Sequence, residues 1–225
     1  MQLLVFNGSP RGKGSNTKVL LEHFLNGFME TPDNTYEIAY LNHVKKQDEF
    51  VKLFRQADHI LLAFPLYTDA MPAMVKTFIE SLQPLCGLNE NKTIGFIVQS
   101  GFGEAIHSRY VERYLKKLAA RLDCRYTGTI VRGGGEGIKE MPSIMTKGLF
   151  KSFHELGSIF GNTGIFNERI VRRLTKKDRF SPQAKLLLIV LTALGLIDAG
   201  WNNQLKKNGV YEKRYDKPYA KKATS

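Results

Sequence analysis

The residues best suited to chemistry lie in three short loops. The first runs Asn7-Gly8-Ser9-Pro10-Arg11-Gly12-Lys13-Gly14-Ser15-Asn16-Thr17. Glycines let backbone amides approach an anion closely, and a helix opening at Ser15-Asn16-Thr17 adds unpaired N–H groups and a favourable dipole. Ser9, Ser15, Asn16 and Thr17 contribute side-chain donors, and Arg11 supplies a charge-assisted bond. This inventory suits a phosphate monoester. A GxxxxGK[ST] loop does not fit, because Lys13 is followed by Gly14 and Gly8 stands only four residues before Gly12. GxGxxG fails too, since Gly12-Lys13-Gly14 runs into Ser15-Asn16-Thr17. Taken alone, the loop also reads as a tight turn with polar filler.

The second loop is Pro65-Leu66-Tyr67-Thr68-Asp69-Ala70-Met71-Pro72. Leu66 and Tyr67 offer a wall for a flat, partly apolar ring, and the turn offers amides for its polar edge. Its bland alternative is an ordinary loop whose Met71 packs into the core. The third loop is Gln99-Ser100-Gly101-Phe102-Gly103-Glu104, with two glycines for close approach and Phe102 for a second apolar contact. Beside it, His107 is a candidate proton donor, although a lone histidine on an amphipathic helix is more often surface or packing. Glu104 fits a helix first turn, where a carboxylate is stabilising.

These loops must be held by regular elements. Short apolar runs predict strands at Gln2–Asn7, Tyr36–Leu41, His59–Phe64, Thr93–Val98 and Tyr126–Val131. Between them, Leu20, Leu21, Phe24, Leu25 and Phe28 share a helical face, as do Met71, Met74, Val75, Phe78 and Leu82 behind Pro72. Further helices are predicted around Glu49–Gln56 and from Ile106 to Leu122. Strands alternating with helices imply βαβ units and a parallel sheet covered on both faces, here in the flavodoxin-like order 2-1-3-4-5. In such a sheet ligands sit beyond the carboxyl ends of the strands, where all three loops fall. Ile144–Phe160, Phe166–Leu174 and Pro182–Leu196 are predicted to be helical, and Gly209–Ser225 an irregular tail.

Together the three loops resemble those of the NAD(P)H-dependent FMN reductase family of flavodoxin-like oxidoreductases. The first matches its GSPRxxxSNT phosphate loop, the second its PLYxxxMPxxxK stretch through Lys76, and the third its SGFPE loop, with Gly103 where the family has proline. The likeness covers roughly residues 1–135, and the helical C-terminal part also looks like that of bacterial members. It implies a three-layer α/β domain over residues 1–160 that binds FMN, with a basic helical extension over 161–225 packed on it or on a partner subunit. Ser9, Arg11, Ser15, Asn16 and Thr17 would hold the FMN phosphate. Pro65, Leu66, Tyr67, Thr68 and Met71 would line the ribityl chain and ring, and Ser100, Gly101, Phe102 and Glu104 would close the other edge. The implied activity takes reducing equivalents from NADH or NADPH through FMN to a quinone, a flavin or a nitro or azo aromatic. Hydride transfer requires no acid or base, so no residue is assigned a catalytic role. The alternative is a flavodoxin-type electron carrier without such activity. Carriers of that kind are typically acidic.

The chain is basic, with a net charge of +12. Residues 1–150 carry +3 of it and residues 151–225 carry +9. The C-terminal cations are spread among acids, which favours a solvated face over a nucleic-acid or membrane module. Cys86 and Cys124 are far apart and form no CxxC pair, so a disulfide framework, a metal site and an iron–sulfur cluster are all unsupported and a reducing cytoplasm is expected. The N-terminus reads as a strand with no basic leader, so no signal peptide is expected. The apolar run Leu186–Ile197 would span about 18 Å as a helix, short of the ~30 Å hydrocarbon layer. It is read as a buried or interface helix, and a homodimer is expected.

Overall fold

The computed structural model describes all residues except Glu140, Lys176, Leu196, Ile197, Tyr219 and 221–225. The five strands are Gln2–Asn7 (β1), Thr35–Tyr40 (β2), His59–Pro65 (β3), Thr93–Gln99 (β4) and Arg125–Arg132 (β5). They pair in parallel in the order β2-β1-β3-β4-β5, as expected. Because side chains alternate along a strand, β1 feeds two cores at once. Leu4 and Phe6 enter one, Leu3 and Val5 the other. All seven residues of β4 are buried, the pattern of a central strand covered on both faces.

The first core is closed by Gln47–Gln56 (α2), Ala73–Ser81 (α3) and Ile106–Leu122 (α4), through Phe54, Phe78 and Leu115 among others. The second is closed by Asn16–Phe28 (α1), Ser143–Thr163 (α5) and Glu168–Leu174 (α6). The α1–α5 crossing is set by glycine. A Cβ at Gly157 would lie 1.8 Å from the Phe24 carbonyl oxygen, and one at Gly27 would lie 1.9 Å from that of His154. The two backbones therefore touch, and this fixes the helix whose N-terminus carries the first loop.

The chain divides into two units, Met1–Arg179 and Phe180–Ser225. The boundary expected at residue 160 falls inside α5, because Phe166, Ile170 and Leu174 join the second core. Phe166 packs where a Cβ at Gly95 would otherwise stand, 2.9 Å from its ring. The second unit contains Pro182–Ala193 (α7), Ala199–Lys207 (α8) and a short turn at Tyr211–Lys213. Leu196 and Ile197, the end of the helix expected there, lie outside the described residues. The sequence reading missed α8, whose stretch AGWNNQLKK shows too few apolar residues to mark a face.

Candidate functional site

Strand order reverses between β1 and β3, and the loops that follow them diverge around a crevice at the carboxyl edge of the sheet. The first loop is folded by its own polar atoms. The Asn7 side-chain oxygen accepts from the Ser9 amide at 2.9 Å, and the Gly12 and Gly14 amides return to the Ser9 and Arg11 carbonyls at 2.9 and 3.0 Å. Gly12 has φ +51, in the left-handed region open to glycine. Ser15 caps α1: its hydroxyl donates to the Gly12 carbonyl at 2.7 Å and accepts from the Lys18 amide at 3.1 Å. Lys139, from the loop after β5, donates to the Gly14 carbonyl at 2.6 Å.

The second loop makes a two-residue turn in which Tyr67 and Ala70 exchange backbone bonds of 2.8 and 3.1 Å. Its central residues, Thr68 and Asp69, have φ of 48 and 61, a conformation costing roughly 1 kcal/mol or more per non-glycine residue. The third loop is laced to the fourth, after β5, by bonds of 2.7 Å from the Gly135 amide to the Ser100 carbonyl and from the Gly134 amide to that of Phe102. His107 joins the second and third loops. Its Nδ1 lies 2.9 Å from the Asp69 carboxylate, and its ring stacks on Phe102 with centroids 4.2 Å apart.

Between these loops lies an open cavity of about 400 Å³. Arg11 and Asn16 line it from the first loop, Pro65, Leu66, Tyr67 and Thr68 from the second, and Ser100, Gly101 and Phe102 from the third. Tyr67 and Phe102, 46% and 42% exposed, bare two aromatic surfaces there. Five residues expected at the site do not line the cavity. Ser9 and Thr17 are buried under the first loop, and Ser15 is engaged as a helix cap. Met71 packs against the core, and Glu104 lies just ahead of α4. Two lining residues, Gln99 and Glu136, were not singled out from the sequence. The signal for Glu136 is the run Gly133-Gly134-Gly135 that precedes it. A fourth glycine-rich loop on the same edge of the sheet belongs with the other three.

Several buried polar atoms without a hydrogen-bond partner lie at this edge. They include Asn7 Nδ2, Thr17 Oγ1, Gln99 Oε1 and Ser100 Oγ. Such atoms carry a desolvation cost, and those of Gln99 and Ser100, which line the cavity, are placed to meet polar groups of a ligand. At the end of β5, burial lowers the pKa of the Arg132 guanidinium, whose backbone carbonyl holds the Ser100 amide at 2.9 Å. Among the described residues, no group of three or more His, Cys, Asp or Glu side chains is placed to hold a metal ion.

A family model described as the flavodoxin-like fold matches residues 1–143. The chain belongs to the flavodoxin-like fold family. Its sheet order and carboxyl-edge crevice are those of that fold. Among solved structures, this flavodoxin-like chain is similar to azoreductase AzrA, at 17% identity over 71% of this chain and 100% of that one, with a TM-score of 0.57. An FMN-dependent NADH-azoreductase from Bacillus anthracis, solved in complex with FMN, is 16% identical over 72% of this chain and 100% of that one, with a TM-score of 0.56. The apo form of the NADH:FMN oxidoreductase EMOB is 15% identical over 81% of this chain and 98% of that one, with a TM-score of 0.53. At these identities the likeness is one of fold. No curated protein matches the sequence.

Proposed function

We propose that this flavodoxin-like protein binds FMN in the carboxyl-edge cavity and passes reducing equivalents from NADH or NADPH to a small-molecule acceptor. The observation that carries the reading is the convergence of an anion loop, two bare aromatic rings and the unpaired polar atoms of Gln99 and Ser100 on one crevice. The residues fit the group. Arg11, Asn16 and the amides of the first loop suit the phosphate, with Ser9, Ser15 and Thr17 shaping that loop from beneath. Leu66, Tyr67 and Phe102 suit the faces of the ring, and Gln99 and Ser100 suit its polar edge. Pro65, Thr68, Gly101, Met71 and Glu104 complete or support the walls. Bound FMN would supply two-electron redox chemistry between the nicotinamide and the acceptor. The protein's own part is to orient the ring and narrow the crevice. Asp69 and His107 hold Phe102 for this purpose.

The solved structures of similar fold include reductases whose names specify NADH and FMN, which favours this reading over an electron carrier. The charge of +12 favours it as well. A quinone, a free flavin and a nitro or azo aromatic are the acceptor classes proposed. Two unpaired cysteines support a cytoplasmic site of action. A second copy of the chain is proposed to cover Ile144 and Met145, which stand exposed at the start of α5. Visible spectra of the purified protein with and without added FMN test the cofactor. Anaerobic bleaching by NADH or NADPH, then reoxidation by each acceptor, tests the reaction. A colourless protein that ignores added FMN would end the proposal, and a flavoprotein that neither nucleotide bleaches would be a carrier.

A further inference from the structure

The C-terminal unit, taken by itself, carries two features that call for a partner. The first is α7. Leu186, Leu187, Leu188, Ile189 and Val190 are consecutive, and with Leu194 just past the helix they are 37–66% exposed. At about 100° per residue, five successive aliphatic side chains circle the helix completely. No residue of α7 is buried. Soluble monomers rarely leave so contiguous an apolar patch bare, and a helix apolar all round belongs in an apolar medium.

The second feature is charge. Phe180–Ser225 contains eight basic and three acidic residues, a net +5. Lys185 sits within α7, Lys206 and Lys207 end α8, and Lys213, Arg214 and Lys217 follow. Aromatic rings lie among these cations. Trp201 is 68% exposed and Tyr215 81%, and the Arg214 guanidinium stands 3.9 and 4.7 Å from the ring centroids of Tyr211 and Tyr215.

We infer that this unit docks on an anionic phospholipid bilayer, with α7 in the acyl layer of one leaflet and the basic and aromatic residues at the headgroups. Each feature alone admits another occupant, but the two together select this one. A nucleic acid would answer the cations and leave the aliphatic residues bare. A second copy of this helix would cover the aliphatic residues but bring the same basic unit, a net +5, against these cations. A bilayer with anionic lipids answers both, each surface Lys or Arg adding attraction that salt screens. The helix is about 18 Å long against a ~30 Å hydrocarbon layer, so it inserts without spanning. Among the described residues no helix is long and apolar enough to cross a membrane. The inference is independent of what the carboxyl-edge cavity binds.

Trp201 is the only tryptophan and serves as a built-in reporter. The full chain is mixed with vesicles of phosphatidylcholine, with and without phosphatidylglycerol, at low and high salt. Co-sedimentation and a blue shift of Trp201 emission are expected with phosphatidylglycerol and not with phosphatidylcholine alone, and high salt should weaken both. Leu187→Glu with Ile189→Glu should cut vesicle binding by at least about tenfold and leave the circular dichroism spectrum unchanged. Lys206→Gln with Lys207→Gln should weaken it less and flatten the salt dependence. Equal binding to both vesicle types would overturn the anionic-lipid assignment. Absence of vesicle binding, with a dimer of twice 25.5 kDa that the α7 variant splits, would give this helix to a second copy instead. Salt-sensitive binding to DNA without vesicle binding would likewise refute it.

Discussion

Arg11→Ala and Ser15→Ala should separate two roles that the sequence could not tell apart. Both residues belong to the first loop, yet the structure uses them differently. The Arg11 side chain is exposed, lines the cavity and makes no hydrogen bond or ion pair with another described residue. Its loss should therefore leave stability within about 0.5 kcal/mol, the usual range for an exposed site. A hydrogen bond to a charged partner is worth about 1.5–3 kcal/mol, which converts to roughly 10- to 150-fold in Kd. Exposure and salt screening favour the low end, so about tenfold weaker FMN binding is expected, more at low ionic strength. Ser15 is buried and already occupied, capping α1 through Lys18 and bracing Gly12. Its replacement should cost about 1 kcal/mol of stability, roughly 2–4 °C in Tm for a chain of this size. The assays are fluorescence titration of FMN into the flavin-free protein and thermal melts of both variants without flavin. Wild-type FMN affinity in Arg11→Ala, or an unchanged melt in Ser15→Ala, would refute this division of labour.

Three further outcomes can be checked. Thr17 is fully buried with an unpaired hydroxyl beneath the first loop, so isosteric Thr17→Val should raise the Tm of the flavin-free protein; a lower Tm would contradict the idea that this hydroxyl is unpaired there. His23 and His59 have pKa values lowered chiefly by burial, so the unfolded chain takes up their protons first. The stability they contribute is complete above about pH 6.5 and is lost as pH falls through the window below it, and His59→Gln should flatten that acid-side slope in melts at several pH values. Burial pushes the Cys124 thiol up to about 11 while Cys86 is half-buried, so a disulfide-exchange reagent at about pH 8 should titrate one thiol in the folded protein and the second only on unfolding.

What the sequence made legible follows from the strength of each physical signal. The strands were readable because a parallel sheet buried on both faces needs unbroken apolar runs, and His59–Pro65 and Thr93–Gln99 are such runs. The three loops were readable because anion contact and left-handed turns draw on a small set of residue types. Gln99 and Glu136 were not, since a single Gln or Glu carries no periodicity and gains its meaning only when strand order brings it to the crevice. Ser15 was legible as part of the Ser15-Asn16-Thr17 run that opens a helix, and the structure makes it the cap of α1. The division at Arg179 was hidden for another reason. Phe166, Ile170 and Leu174 reach back to β5 and the second core, a long-range contact that local composition does not reveal.

Several departures from local rules fall at one edge of the sheet. Thr68 and Asp69 adopt left-handed conformations without glycine, and Asn7, Thr17, Gln99 and Ser100 bury unpaired polar atoms. All six lie at the carboxyl ends of β1, β3 and β4, in the turns that follow, or in the first turn of α1. At the opposite end, the N-terminal ammonium donates to the Asn34 side chain at 2.8 Å, and Asn34 in turn bonds the Phe28 and Gly161 carbonyls at 2.9 and 3.1 Å. Gln99 and Ser100 also line the cavity, where polar groups of a ligand would satisfy them. The exposed aliphatic residues of α7 break a different rule, apolar surface in water, and so call for a different kind of partner. One anomaly asks for hydrogen-bonding groups and the other for an apolar medium. No single ligand answers both, which is why the flavin cavity and the bilayer contact are separate claims that can fail separately.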